Sequence, residues 1–183
     1  MRNTLQEVFS YLKNPTIEKD ENKEFSYRIK KFGNLLIISI LTGILISPVF
    51  IIIEEMGFIN MENHAIEEMV KNYTKWQIVL FTVILAPLFE ELFFRAPITA
   101  FKNPKFFKIG FYFFTFLFGF IHITNFEITK SVIILVPILV APQILLGGYL
   151  GFIRVKFGLI WSIALHAAYN GLLTLITFIP DLL

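Results

Sequence analysis

Hydrophobic positions fall into five long blocks, at roughly 35–53, 76–98, 106–125, 131–153 and 157–179, after a polar, mixed-charge start over 1–34. A hydrocarbon layer about 30 Å thick needs about 20 helical residues to cross it. Each block has or nearly has that length. The second and third blocks carry ionisable residues, which lowers their hydropathy without shortening them. Pro137 and Pro142 fall in the fourth and predict a kink there, tolerable where neighbouring helices satisfy the freed carbonyls. The pattern predicts an all-α fold, a polytopic transmembrane helix bundle of about five spans. Residues 1–34 read as an N-terminal arm and 35–183 as the transmembrane domain. Leu5, Val8, Phe9 and Leu12 give the arm weak amphipathic character, which predicts a short interfacial or solvated segment. The first apolar run begins near Leu35, which predicts no cleavable signal peptide.

Charge tests this division independently. Arg28, Lys30 and Lys31 form a basic collar before the first block. The next loop holds Glu54, Glu55, Glu62, Glu67 and Glu68 against Lys71 and Lys75. Lys102, Lys105 and Lys108 follow without an acid, then a balanced Glu127 and Lys130, then Arg154 and Lys156, and last Asp181 alone. Basic residues therefore sit on alternate connections, as the positive-inside rule requires. The alternation predicts an integral membrane protein with its N-terminus, and so the 1–34 arm, in the cytoplasm and its C-terminus outside.

Composition narrows the chemistry. Of 183 residues 56% are hydrophobic and 16% charged, with 22 Phe, which excludes an ordinary soluble domain and a disordered chain. A net charge of +2 argues against nucleic acid as a partner. Cys is absent, which removes disulfides, thiol catalysis, cysteine–zinc sites and lipidation of the chain itself. Asp20 and Asp181 are the only aspartates and both lie outside the apolar blocks, so paired-aspartate chemistry is excluded. There is no His-Glu-x-x-His zinc helix, and Ser39, Ser47, Ser131 and Ser162 show no nucleophile setting. Abundant Lys, Asn, Ile and Phe suggest a bacterium with AT-rich DNA, and so a bacterial cell membrane.

Few polar groups remain inside the blocks. A charge at the bilayer centre costs at least about 2.5–3.5 kcal/mol on insertion scales, so such groups are candidates for function. They are Glu90, Glu91 and Arg95 on the second block, His122 on the third, and His166 and Asn170 on the fifth. Glu91 and Arg95 are four apart and share a helix face, so they can pair. Glu90 is turned about 100° from Glu91 and lacks a local cation, which leaves it free for proton transfer. Gly119, in Phe118-Gly119-Phe120-Ile121-His122, allows a neighbouring helix or a substrate to approach closely. His166 and Asn170 project from one face. His64, in the acidic loop, is expected to have no catalytic part. Converging between helices, the carboxylate, imidazoles and carboxamide would activate water. Crude depths test the convergence. Glu90 lies roughly 12 Å from the end near Ile98, His166 roughly 14 Å from Phe157, and His122 about 21 Å from Lys108. The third disagrees with the other two.

The set Glu90-Glu91-x-x-x-Arg95, Phe118-x-x-x-His122 and His166-x-x-x-Asn170, over about 76–179, resembles the CPBP intramembrane proteases. This is the CAAX-protease and bacteriocin-processing, or Abi, group. The resemblance implies an intramembrane endopeptidase that hydrolyses a peptide bond of a membrane-embedded or lipidated protein or peptide at the lipid bilayer. It implies that Glu90 and His122 activate water, that His166 and Asn170 stabilise the oxyanion, and that Glu91 and Arg95 position the site. Many members carry more spans, so this chain looks close to a minimal core. Two mechanisms stay open: Glu90, His122 and His166 could hold zinc with an open water position, or Glu90 with His122 could deprotonate water without a metal. Two other classes compete. One is a non-proteolytic membrane protein, such as a bacteriocin-immunity factor or scaffold. The other is a proton-coupled carrier, disfavoured by the lack of repeat symmetry.

Overall fold

Every long apolar block folds as helix, and in a computed structural model of the protein, which describes residues 1–178, no strand is present among the described residues. Asp181 and the tail lie outside them. The helices are α1 (Arg2–Lys13), α2 (Phe25–Glu55), α3 (Ala65–Asn72), α4 (Lys75–Val79), α5 (Ala86–Phe94), α6 (Pro104–Ile121), α7 (Lys130–Leu139), α8 (Ala141–Phe157) and α9 (Leu159–Thr177). A π-helical turn, Leu80–Leu85, joins α4 to α5. Five rods are long and apolar enough to cross a membrane: Phe25–Glu55, Lys75–Ala100, Pro104–Asn125, Lys130–Phe157 and Leu159–Thr177. Their outward faces are apolar: Leu45, Trp76 and Ile134 are 78%, 84% and 77% exposed. In water that surface would be untenable; in lipid it is the solvated surface. The chain is an integral membrane protein.

Prolines set the local breaks. Pro48 lies inside α2, where its missing N–H frees the carbonyl of Ile44, and the Ser47 hydroxyl donates to that oxygen at 3.0 Å. The expected kink in the fourth span is sharper than a bend. The helix is interrupted at Val140, and α8 restarts with Pro142 in its first turn.

The core is built around α8, whose residues Leu146–Ile153 are all buried. As expected, Gly119 permits close approach: a Cβ there would run into the Ile144 side chain and lie 3.1 Å from its backbone nitrogen. α6 and α8 therefore pack almost backbone to backbone.

The N-terminal arm differs from expectation. It is neither solvated nor merely interfacial. Val8 is 1% exposed and Tyr11 is buried. Leu12 sits where a Cβ on Gly148 would come within 2.8 Å of it, and the Tyr112 hydroxyl donates to the Leu12 carbonyl at 2.9 Å. Polar groups explain the docking. The buried Lys31 ammonium, on the early turns of α2, pairs with Glu7 of α1 at 2.9 Å and with Asp20 at 2.9 Å. Hydropathy put the first span at 35–53 because it counts Arg28, Lys30 and Lys31 as polar, yet the arm supplies the partners that let α2 begin at Phe25.

Asp20 carries a test of this docking. Burial opposes its charge, but Lys31, the Tyr27 hydroxyl and the Asn22 amide together hold its carboxyl below the usual range. A depressed carboxyl stabilises the fold above its unfolded pKa of about 3.9 and loses that contribution as pH falls through the lower folded value. Asp20→Asn is expected to lower stability at pH 7 by about 1–3 kcal/mol, with the deficit constant from pH 5 to 8 and closing below about pH 4. Thermal unfolding in detergent reads it. A deficit that grew on acidification would contradict the ion-pair account.

Candidate active site

The second rod carries both carboxylates, and a local irregularity fixes their facing. In the π-turn the Ala86 amide donates to the Phe81 carbonyl, one residue further back than in an α-helix. Residue 87 is proline and has no N–H to offer Thr82 in the same pattern. Asn170 of α9 fills the gap, donating from Nδ2 to the Thr82 carbonyl at 2.8 Å. One Nδ2–H is committed there and the second is available.

Glu91 is fully buried and its oxygens are occupied. His166 Nδ1 donates to Oε1 at 3.0 Å, and the Ser162 hydroxyl donates to Oε2. Arg95 lies four residues on, as the spacing predicts, with Nε 3.7 Å from Oε2. The contact is an ion pair rather than a hydrogen bond: all three guanidinium nitrogens are buried without a hydrogen-bond partner. Arg95 rests instead on an aromatic face, its Cζ 3.9 Å from the centroid of Phe118. Arg154 anchors the end of this rod by donating from Nε to the Arg95 carbonyl at 3.1 Å and from Nη2 to the Thr99 hydroxyl at 2.8 Å.

Glu90 is placed differently. Its side chain is 29% exposed, and Oε2 lies 3.8 Å from His166 Nε2 with no hydrogen-bond partner. His166 thus stands between the two carboxylates, held by Glu91 through one ring nitrogen and turned toward Glu90 with the other. His122 donates from Nδ1 to the Phe118 carbonyl at 2.7 Å, which leaves Nε2 as its free atom. The Phe118 ring separates the imidazoles, 4.7 Å from His122 and 5.7 Å from His166.

Glu90, His122, His166 and Asn170 line one cavity of ≈ 490 Å³. Its lining extends from Glu90 and His166 to Thr177 and to His64 and Met69 beside α3. The depth disagreement does not keep the imidazoles apart: both rings lie against Phe118 and line the same cavity. Glu91 and Arg95 sit behind its wall. Among the described residues no group of three or more His, Cys, Asp or Glu side chains is placed to hold one metal ion.

Polar residues at the site beyond those the sequence pointed to include Ser162, Gln143 and His64. Ser162 holds Glu91, and its place one turn before His166 on the face of His166 and Asn170 was a usable signal. Gln143 lines the shaft with a buried, unpartnered Oε1. His64 also lines it, its Nδ1 accepting the Ile66 amide at 3.3 Å and its ring 4.9 Å from that of Phe126. Neither has a sequence signature.

Ser162→Ala removes one of the donors that fix Glu91. It is expected to lower stability by about 1–3 kcal/mol and turnover at the site about ten-fold. Unfolding and turnover measured together check this. A loss near the 10⁴-fold scale of a missing catalytic group would make Ser162 a nucleophile instead.

The chain matches a known protein family. The model described as type II CAAX prenyl endopeptidase Rce1-like matches residues 71–172, a little over half of the chain, and the match takes in all six polar positions from Glu90 to Asn170. No curated protein and no solved structure matches the chain.

Proposed function

Because the chain belongs to the Rce1-like family of type II CAAX prenyl endopeptidases, and is thus an intramembrane protease of CAAX type, we propose that Glu90 is its general base and that its substrate is a membrane-embedded or lipidated peptide or protein. The observation that carries this reading is the division of labour between adjacent carboxylates. Glu91 is saturated by Ser162, His166 and Arg95, whereas Glu90 presents an unpartnered oxygen beside the cavity that His122 and Asn170 share.

The chemistry follows from those atoms. A water held between Glu90 and the free Nε2 of His122 loses a proton to Glu90 as its oxygen bonds to the scissile carbonyl carbon. Charge on the carbonyl oxygen is met by the second Nδ2–H of Asn170 and by His166 Nε2 when protonated. The carbon–nitrogen bond then breaks, and the proton on Glu90 passes to the leaving amine. Glu91 accepts from His166 Nδ1 and so holds the ring in place throughout. Arg95 and Ser162 act on Glu91.

The test is cleavage by the purified protein of a peptide panel, prenylated and unmodified. Products located by mass spectrometry, with loss of cleavage in His122→Ala, support the assignment. Unchanged cleavage in that variant overturns the role of His122. Incubation with a strong chelator, followed by its removal, is expected to leave turnover within two-fold. A loss restored by added zinc would return the metal-ligand reading to the lead. The basic-residue alternation supports an N-terminus in the cytoplasm, and the cavity then opens toward the outer face along α9. Cysteine-accessibility labelling at residues 19 and 64 tests this, since only one should react from each side.

A further inference from the structure

A second cavity lies at the other end of the bundle from the mouth of the catalytic shaft. It has a volume of ≈ 830 Å³ and is bounded by the segment before α2, the loop after the second span, and the α8–α9 hairpin. Six cations line it: Lys19, Lys23, Arg28, Lys102, Arg154 and Lys156. Two acids do so, Asp20 and Glu21. Asp20 is already neutralised, since its Oδ2 takes both the Lys31 ammonium at 2.9 Å and the Tyr27 hydroxyl at 2.8 Å.

Among the described residues none of the six cations forms an ion pair. Arg28 donates to the Asn22 carbonyl at 2.9 Å, Lys102 to the Thr99 carbonyl at 3.1 Å, and Lys156 to the Glu18 carbonyl at 3.2 Å. Arg154 spends its bonds on the Arg95 and Ala96 carbonyls and the Thr99 hydroxyl. These bonds hold the side chains in place but leave their charge uncompensated. An arrangement of positioned, un-neutralised cations around a concavity is what an anion requires.

Position indicates which anion. Arg28 is near the start of α2, Lys102 is just beyond the end of the second span, and Gly158 closes the α8–α9 hairpin. These ends lie at one bilayer face, at headgroup depth. An aromatic layer lies beside the cavity: Phe157 lines it, and Trp161 packs on Phe157 with ring centroids 5.6 Å apart. Basic pockets at span ends are the usual setting for acidic headgroups.

We propose that this cavity is a binding site for an anionic phosphate group, presented by the headgroup of an acidic phospholipid. Lys19, Lys23 and Lys102 supply the accessible charge, and Arg28, Arg154 and Lys156 form the fixed wall.

Trp161 gives a direct readout. In the full chain carrying Trp76→Phe, fluorescence is followed while dioctanoyl phosphatidylglycerol, dioctanoyl phosphatidylcholine or inorganic phosphate is added. The expected result is saturable quenching or shift with phosphatidylglycerol, weakened at least ten-fold in Lys19→Gln/Lys23→Gln/Lys102→Gln. A charge-matched control, Lys13→Gln/Lys30→Gln/Lys105→Gln, removes three cations that do not line the cavity and should weaken binding less than three-fold. Circular dichroism verifies that both triple variants are folded. Equal weakening in the two variants, or equal binding of phosphatidylcholine, overturns the site. Inorganic phosphate binding as tightly as phosphatidylglycerol, with the same dependence on the pocket lysines, retains the phosphate site and assigns it to the free anion. Absence of saturable binding by all three probes rejects it.

Discussion

Glu90→Gln is expected to abolish turnover, lowering kcat by about 10³-fold or more, while leaving the protein folded and its KM for peptide nearly unchanged. The substitution keeps the shape of the side chain and removes only its capacity to take a proton. Nothing in the fold depends on that capacity, because Oε2 has no hydrogen-bond partner and the His166 Nε2 atom is 3.8 Å away. Replacing an unpartnered, largely buried carboxylate by an amide should therefore hold or raise the unfolding temperature. The combination of lost turnover, unchanged KM and undiminished stability distinguishes a base acting only in the transition state from a structural carboxylate. Full activity in Glu90→Gln would remove the general-base assignment. Activity lost together with the fold would place Glu90 in the structural framework.

The opposite signature is expected one residue along. Glu91→Ala leaves Arg95 buried without its counter-charge and takes an acceptor from both His166 and Ser162. Breaking a buried pair from one side costs about 3–5 kcal/mol, because the remaining charge stays desolvated. This variant should fail to accumulate or unfold far below the parent. Removing both charges restores balance. In Glu91→Gln/Arg95→Met the thioether can lie on the Phe118 face that Arg95 now covers at 3.9 Å, and the Gln can still accept from His166. The double variant is expected to recover most of the lost stability but not the activity, since a neutral amide no longer stabilises His166 when its protonated Nε2 meets the charge on the carbonyl oxygen. Reversible unfolding of the single and double variants gives the coupling directly. Purely additive effects would show that the two side chains do not act as a pair.

How much of this was legible in the sequence depends on the range of the interactions. Glu91 with Arg95, and His166 with Asn170, are one helical turn apart, so 3.6-residue periodicity alone brings each pair to one face. The five spans were visible because length and apolarity are local properties, and the kink because proline acts on its own helix. The docking of α1 was not. It depends on Lys31 finding Glu7 and Asp20, 24 and 11 residues away, and hydropathy counts each of those charges as a reason against burial. The approach of His64 to the shaft likewise depends on how the 56–74 connection folds back. Ser162 was set aside because it lacked the surroundings of a nucleophile, although its spacing already placed it among the residues that fix Glu91. The π-turn was hidden as well, since its apolar residues read the same in either helix type.

The same turn governs the site by a matter of phase. An additional residue in one helical turn advances everything beyond it by about 100° relative to everything before it. Upstream lies the α4 start with Trp76 toward lipid, and downstream lie Glu90 toward the shaft and Glu91 toward Arg95 and α9. Deleting a single residue within Leu80–Leu85 would restore a regular helix, yet it would rotate the lipid face and the carboxylates out of step. One would be wrong whenever the other was right. The spacing between residues 76 and 90 thus behaves as a fixed count, intolerant of a one-residue change in length even where every side chain in it is replaceable by another apolar one.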